Sequence, residues 1–263
     1  MKTKYIITIL LISIILFSCQ DKSVKTSITE PKIDPNELEN DFMKWWNYHS
    51  SEISLANNFI GLNEASDTIN KKDFLTKLTS GNYIVLKLKS KDKNILYKLY
   101  QLNPKSDKSI KNTISIESLI NLEHYKMEGE RFPEFNFIDL NGNNFSNENL
   151  KGKMVIYKTW FINCKACVAE FPELNELVEK NKNNKEIVFI SLALDEKDKL
   201  VSFLKRKDFK YEIVPNQKEL IVKKLNLTIY PSHIVVDKNG VIIKVVNKAS
   251  EMIDFLENNK KKF

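Results

Sequence analysis

The chain has 263 residues, of which 42% are hydrophobic and 29% charged, the balance of an ordinary globular protein. This composition excludes a wholly disordered chain, a collagen-like fibre and a polytopic membrane protein. Lys+Arg number 41 against 34 Asp+Glu, a net charge of +7, but Arg131 and Arg206 are the only arginines. Because the excess is lysine spread along the chain, with few of the guanidinium groups that read phosphate and guanine, we expect no nucleic-acid partner.

The start of the chain predicts export. Two lysines precede an apolar run over residues 5–17, a pattern typical of a secretory signal and short for a transmembrane helix. The run ends in Leu-Phe-Ser-Cys19 and resembles the bacterial lipoprotein box, in which the cysteine is lipidated. We therefore predict a lipoprotein signal peptide over 1–18, a lipid on Cys19 and a polar tether over 19–36. An ordinary signal peptide with an incidental cysteine is the alternative.

Residues 37–128 predict a smaller α+β domain. Apolar spacing at helical intervals predicts helices over 37–48 and 71–78. Alternating apolar and polar residues predict a β-hairpin formed by 83–90 and 94–102. No combination of side chains in this segment points to catalysis, so its role is open.

The residues at 128–133, Glu-Gly-Glu-Arg-Phe-Pro, interrupt the pattern and predict a domain boundary. Beyond them, apolar runs of strand length alternate with amphipathic stretches of helical length. Strands are predicted over 135–140, 154–160, 187–194, 211–215, 234–237 and 241–246, and helices over 167–180, 196–207, 218–225 and 251–260. This alternation predicts an α/β domain over 132–263, with a central mixed sheet and helices on both faces.

Cys164 and Cys167 lie where the strand over 154–160 gives way to a helix. Unpaired N–H groups at a helix start stabilise negative charge, so a thiolate at Cys164 is favoured and its pKa is lowered. Lys165 adds positive charge beside it. The two-residue spacing allows a small ring between the sulfurs, so an attacking Cys164 can be released by Cys167. The pattern predicts a redox-cycling pair, and a passive surface disulfide is the alternative.

Other uses of a CxxC pattern need residues that this chain lacks. A structural zinc site needs four ligands, and the chain has neither a second CxxC nor a His pair. A c-type haem site needs a histidine after the second cysteine, where Val168 stands. We therefore expect no metal and no cofactor besides the cysteine pair.

Several short motifs follow one another in the second half of the chain. In order they are Pro133-Glu134-Phe135, Leu150-Lys151-Gly152-Lys153, Trp160, Cys164-Lys165-Ala166-Cys167, Glu170-Phe171-Pro172 and Tyr230-Pro231. With these motifs, residues 132–263 resemble the thioredoxin superfamily. More narrowly they resemble its TlpA/ResA-like, redoxin-type, membrane-tethered thiol–disulfide oxidoreductases. The extended first domain is similar to that of lipoprotein members from Bacteroidetes-type bacteria, from which no activity carries over.

The resemblance implies a thioredoxin-like fold for 132–263 and roles for individual residues. Cys164 would be the nucleophile and Cys167 the resolving cysteine, joined by a disulfide when oxidised. Pro231 would follow a cis peptide bond, lie against the CxxC and free the preceding backbone to pair with a substrate strand. The candidate substrate contacts are Lys165, Ala166, Trp160 and Tyr230.

Three positions depart from the family pattern. Ala166 stands where many members have proline, Asn163 where thioredoxin has tryptophan, and Lys158 where thioredoxin has a buried acid. If Lys158 points inward, the Cys167 proton needs another acceptor, and Glu170, one helical turn further on, is the candidate base. A solvated charge near a helix start is the alternative for Glu170. A histidine at position 233 could suggest copper binding, as in the related Sco-like chaperones, but those proteins pair a distant histidine with a CxxxC, whereas this chain has a CxxC. For His233 we therefore expect packing or substrate contact.

Together these features predict a lipid-anchored, extracytoplasmic thiol–disulfide oxidoreductase of the cell envelope that faces the periplasm. The resemblance implies a reductive role, fed by a membrane electron donor of the thiol-reducing type and acting on exported proteins with disulfides. The sequence itself does not decide whether the protein reduces or oxidises its substrates, since a difference of about 30 mV in reduction potential corresponds to only about 1.4 kcal/mol. The alternative is a binding or adaptor lipoprotein whose CxxC is a structural disulfide.

Overall fold

The computed structural model describes residues 30–31, 33–90 and 94–259. The predicted signal peptide and Cys19 lie outside these residues. Within the described ranges, no helix is both long enough and apolar enough to cross a bilayer. Strands in the described chain form sheets of four, five and two strands.

The N-terminal portion combines the four-stranded sheet with α-helices. Its helices are α1 (Phe42–Glu52), α2 (Lys71–Leu78) and α3 (Lys108–Met127), and its strands are β1 (Ile60–Leu62), β2 (Thr68–Ile69), β3 (Tyr83–Lys87) and β4 (Leu96–Gln101). The strand order is β2-β1-β4-β3, with β1 parallel to β4 and β3 antiparallel to β4. The expected α+β character is confirmed, and β3 and β4 form the hairpin predicted from the sequence.

The predicted helix over 37–48 has a different form. Pro35–Glu37 form a 3-10 turn, and α1 begins only after Asp41, whose carboxylate accepts a hydrogen bond from the Lys44 amide at 3.0 Å. The 3-10 turn begins inside the predicted tether over 19–36, so regular structure begins two residues earlier than predicted.

Helix α3, with 20 residues, is absent from the sequence prediction. It begins after Asp107, whose carboxylate accepts a hydrogen bond from the Ser109 amide at 2.7 Å. Its buried face includes Ile110, Ile114 and Leu122, at intervals of four and eight residues. Polar residues dilute this pattern, and the capping aspartate followed by apolar residues at multiples of four is the signal that could have revealed the helix.

The C-terminal portion contains the five-stranded sheet and a separate two-stranded hairpin. Its strands are β5 (Asn136–Ile138), β6 (Asn144–Ser146), β7 (Met154–Trp160), β8 (Ile187–Ala193), β9 (Glu212–Val214), β10 (Ser232–Val236) and β11 (Ile242–Val246). Its helices are α4 (Lys165–Ala169), α5 (Phe171–Asn181), α6 (Lys197–Leu204) and α7 (Ala249–Asn258). The main sheet has the order β11-β10-β7-β8-β9; β7, β8 and β9 are parallel, while β10 is antiparallel to β7 and to β11. The predicted mixed sheet is confirmed.

Side chains of β7 alternate between the two faces of the main sheet. Ile156 and Trp160 belong to the core beneath α5, α6 and α7, whereas Val155 and Tyr157 belong to the core on the opposite face. Lys158 has the parity of Ile156 and Trp160, so the strand directs this lysine into the core beneath the helices. The placement of a cation in that core decides the electrostatics of the site described below.

Two predicted helices differ in form. The helix predicted over 167–180 is divided at Glu170 into α4 and α5, with Pro172 in the first turn of α5, where the missing proline N–H costs no helical hydrogen bond. The stretch predicted as a helix over 218–225 contains a five-residue π-helical turn, Leu220–Lys224.

The two portions meet along β11. Residues 129–132 run beside this strand, and the Gly129 amide donates to the Ile242 carbonyl at 2.8 Å. Lys244 on β11 is only 2% exposed, and its Nζ lies 2.9 Å from the Glu128 carboxylate. The junction therefore combines strand-like backbone pairing with a buried ion pair.

Glu128→Gln is expected to lower the free energy of unfolding by about 3 kcal/mol, because it removes the carboxylate that contacts the buried Lys244 ammonium. Chemical denaturation at neutral pH measures the loss. Glu123→Gln is the matched control, because the Glu123–Lys126 pair is half-exposed and its loss should cost about 0.5 kcal/mol or less. Equal losses in the two variants would contradict a stabilising role of the buried pair.

Candidate active site

The Cys164–Cys167 pair lies at the carboxyl end of β7, where α4 begins. The cysteines are joined by a disulfide, and their Cα atoms are 5.2 Å apart. Cys164 is the N-cap residue of α4, and its Sγ accepts a hydrogen bond from the Cys167 amide at 3.1 Å. Cys164 is 8% exposed, whereas Cys167 is fully buried. A partner sulfur can therefore reach Cys164 first, and the amide at its Sγ would stabilise a thiolate there.

The turn between β7 and α4 is held from the neighbouring strand. The Ile162 amide donates to the Asp195 carboxylate at 2.8 Å, and Asp195 follows β8, the parallel neighbour of β7. The Leu194 amide also donates to the Trp160 carbonyl at 3.1 Å. Because carboxyl ends of parallel strands meet at one edge of a sheet, β8 supplies the groups that position the segment before the cysteines.

The loop that precedes β10 lies at the same edge. The Tyr230–Pro231 peptide bond is cis. Strand β10 places Ser232 opposite Thr159 of β7, so Pro231 lies beside the end of β7. The ring of Tyr230 packs edge-on against Phe161, with 5.5 Å between the ring centroids. The loop and the segment before the cysteines therefore form one continuous surface.

The carboxylate of Glu170, three residues after Cys167, has three partners. Its Oε2 lies 2.5 Å from Nζ of Lys158 and 3.1 Å from Nε2 of His233. Its Oε1 accepts a hydrogen bond from the amide of Ala249, the first residue of α7, at 2.9 Å. Lys158 and His233 are opposite each other in the β7–β10 pair, and both are fully buried. One carboxylate thus connects the helix after the cysteines with two strands and a second helix.

Burial and charge shift the pKa values in this cluster. Burial by itself would raise the pKa of Glu170, but the hydrogen bonds and charges of His233 and Lys158 outweigh it and lower that pKa to about 2. Burial lowers the pKa of Lys158, an effect that the Glu170 carboxylate opposes, and burial also lowers the pKa of His233. The geometry is that of an ionised Glu170 carboxylate in contact with Nζ of Lys158 and Nε2 of His233.

The predicted substrate contacts have different environments. Lys165 and Ala166 are exposed beside Cys164, and Tyr230 is partly buried. Trp160 requires a correction, because its side chain is fully buried and packs edge-on against Phe171, with 5.1 Å between ring centroids. Trp160 therefore belongs to the core and cannot touch a substrate.

The partners of Glu170 are not evident from the sequence motifs. Lys158 stands out there only as a departure from the family pattern, and His233 only as a residue expected to pack in the core or to contact a substrate. The alternation of side chains along a strand is the signal that could have linked these two residues. Lys158 and His233 each lie next to residues whose side chains point to the opposite face of the sheet. Asn247, which donates to the Pro231 carbonyl at 2.8 Å, has no comparable signal in the sequence.

Metal-ligating side chains are not clustered at this edge of the sheet. In the part of the chain that the structure describes, no group of three or more His, Cys, Asp or Glu side chains could hold a metal ion. His233 lies in the core with its Nε2 directed at Glu170.

Comparison with known proteins relates this half of the chain to disulfide chemistry. The family model described as Redoxin matches residues 127–258. Thiol-disulfide oxidoreductase ResA of Bacillus thuringiensis subsp. konkukian is 34% identical over 139 residues, which cover 52% of this chain and 79% of that protein. Thioredoxin-like protein YneN of Bacillus subtilis is 28% identical over 117 residues, covering 44% of this chain and 68% of that protein. Among solved structures, the thioredoxin domain of a thiol-disulfide oxidoreductase from Bacteroides vulgatus is 22% identical at a TM-score of 0.45, covering 50% of this chain and 96% of that chain.

Glu170→Gln removes a carboxylate whose pKa is about 2 in the folded protein against an ordinary 4.5. Such a lowered pKa stabilises the fold fully above the ordinary value, and the stabilisation is lost as the pH falls towards the folded value. Between about pH 5 and about pH 2, the free energy of unfolding should therefore fall by roughly 3 kcal/mol more in the wild type than in Glu170→Gln. Urea denaturation at a series of pH values measures this difference. Glu176→Gln, on the exposed face of α5, is the control and should follow the wild-type curve; parallel curves for Glu170→Gln would contradict the assignment.

Proposed function

The chain belongs to the Redoxin family and is a thioredoxin-like thiol–disulfide oxidoreductase of the TlpA/ResA-like type, and from this premise we propose that it reduces disulfides of exported proteins outside the cytoplasm. The observation that carries the proposal is the asymmetry of the cysteine pair. Cys164, at the N-cap of α4, keeps 8% of its surface exposed, whereas Cys167 is fully buried. This asymmetry supports a division of labour between an attacking and a resolving sulfur.

In the proposed cycle the reduced protein carries a thiolate at Cys164 and a thiol at Cys167. The Cys164 thiolate attacks one sulfur of the substrate disulfide, a mixed disulfide forms, and the other substrate sulfur leaves as a thiolate. Cys167 then loses its proton and attacks Sγ of Cys164, which releases the first substrate sulfur and closes the Cys164–Cys167 disulfide. The substrate has gained two electrons, and a membrane electron donor of the thiol-reducing type returns two electrons to the cysteine pair.

The surface around Cys164 supports a protein substrate. We propose that Lys165 and Ala166, both exposed, contact the substrate together with Tyr230, and that the loop at Pro231 aligns the substrate chain. Asn247 holds the Pro231 carbonyl by a hydrogen bond of 2.8 Å, so that part of the loop is positioned from behind. No cofactor other than the cysteine pair enters the proposed cycle.

The proposed location rests on the start of the sequence. The two early lysines, the apolar run over 5–17 and the Leu-Phe-Ser-Cys19 sequence support export and a lipid anchor on Cys19, with the enzyme facing the periplasm. Compartments outside the cytoplasm are oxidising, so disulfides are available there as substrates. Labelling of Cys19 with a fatty acid tests the anchor.

We propose that Glu170 is the base of the resolving step and that it works together with His233. With a pKa of about 2, Glu170 alone is a weak base. His233 offers a second acceptor, because its buried Nδ1 has no hydrogen-bond partner among the described residues. A proton taken up at Nδ1 makes an imidazolium that the Glu170 carboxylate, 3.1 Å from Nε2, stabilises.

Alkylation of the reduced protein is expected to modify Cys164 before Cys167, with an apparent pKa below about 8.5, the value of a free thiol. Mass spectrometry of samples quenched with iodoacetamide at a series of pH values measures the order and the pKa. Cys167→Ala should accumulate mixed disulfides with substrates, whereas the matched variant Cys164→Ala should not. If Cys167 is labelled first, or if the disulfide resists exchange with dithiols, the proposal is wrong and a structural disulfide is favoured.

Glu170→Gln is expected to slow closure of the Cys164–Cys167 disulfide by about a hundredfold and to slow the initial attack much less, because only the second step needs an acceptor for the Cys167 proton. Stopped-flow measurements with a chromogenic disulfide separate the two steps. Glu176→Gln is again the control and should leave both rates at the wild-type value. Equal slowing of both steps in Glu170→Gln would assign Glu170 a purely structural role.

A further inference from the structure

A groove of about 450 Å³ lies between α3 and the chain segment that leads to Pro231. One wall carries Leu119 of α3 and the other carries Ile229, with side chains that are 47% and 40% exposed. The floor is apolar and consists of buried side chains of the C-terminal portion: Leu225, Leu227 and Ile242. Exposed apolar side chains gathered around a concave apolar floor are characteristic of an interaction site.

Helix α3 presents its wall of the groove in a supported position. Its buried face contributes Ile110, Ile114 and Leu122 to the N-terminal core. The same helix packs against β11 of the main sheet. Leu119 is outside the N-terminal core cluster, and the described residues leave it 47% exposed. Because packing already holds the helix on two sides, binding of a ligand in the groove would cost little conformational entropy in this wall.

One end of the groove, at Ile229, adjoins the loop beside the disulfide, whereas the floor at Ile242 lies toward the opposite end of the sheet. Ile229 lines the groove, and the next residue, Tyr230, packs against Phe161, three residues before Cys164. Thiol–disulfide exchange requires the partner's sulfur to reach Cys164. The partner's chain on one side of its own cysteine can then follow the loop from Tyr230 to Ile229 and enter the groove.

We propose that this groove binds an extended segment of the substrate polypeptide that carries a large apolar side chain near the cysteine under attack. The apolar floor and walls select the apolar side chain, and a volume of about 450 Å³ accommodates one or two such groups. The rim carries both signs of charge, from Glu130, Arg131 and Lys224, which can bind the polar main chain of an extended segment. Exported chains that have not finished folding expose such segments. The inference rests on the proposed function, because it extends the surface for the same reaction.

Two synthetic peptides of equal length test the groove. Each has one cysteine in a mixed disulfide with glutathione, flanked by leucines in one peptide and by serines in the other. The reduced wild-type protein should show a KM about tenfold lower for the leucine peptide, at similar kcat. Leu119→Glu should abolish this preference by raising the KM for the leucine peptide about tenfold, whereas Leu119→Met should retain it. Met43→Glu, which changes an exposed apolar residue on α1 outside the groove, should also retain the preference.

The outcomes separate the groove from the redox site. A wild-type protein that reduces neither peptide nor oxidised glutathione would overturn the proposed function itself. Reduction of oxidised glutathione with equal KM values for the two peptides would overturn the groove alone, as would a leucine preference that survives Leu119→Glu. Sedimentation decides one further case: if Leu119→Glu converts a dimer into a monomer and leaves the preference intact, the groove binds a second copy of the chain and the proposal is wrong.

Discussion

The buried carboxylate of Glu170 is the interaction on which the redox half of this protein depends. It contacts Lys158 on β7, His233 on β10 and the first amide of α7, so one group connects the two strands beside the cysteines with two helices. An ionised carboxylate is stable in a core only when cations and hydrogen-bond donors surround it. The three partners are therefore required for burial of Glu170, and they orient the elements that end at the disulfide.

The ion pair in this cluster joins residues on either side of the cysteine pair in the sequence. Lys158 lies on β7, before the cysteines, and Glu170 lies three residues after Cys167. A lone buried carboxylate would be costly, because burial in a medium of low dielectric constant penalises an isolated charge. Here Nζ of Lys158 lies 2.5 Å from the carboxylate, so Glu170 is buried as part of an ion pair.

The N-terminal portion extends the surface of the redox half. Residues 129–132 pair with β11, and the buried Lys244–Glu128 ion pair supports the same junction. Through this junction α3 comes to lie beside the loop that leads to Pro231. The arrangement separates two properties of the enzyme: the environment of the cysteines governs the exchange reaction, and the groove next to them governs which polypeptide segments are held.

Features that depend on local pattern can be predicted from the residues alone: the CxxC at a strand-to-helix boundary, the apolar strand Met154–Trp160, and the mixed α/β class of the second half. Helix α3 was not predicted, because polar residues dilute its apolar face. The contact of Glu170 with Lys158 and His233, which are 12 and 63 residues away along the chain, depends on the folded arrangement of the strands. Their contact requires the register of β7 against β10, and that register is set by the packing of a whole sheet face, since a shift by one residue would turn the side chains of the shifted strand to the other face and separate Lys158 from His233.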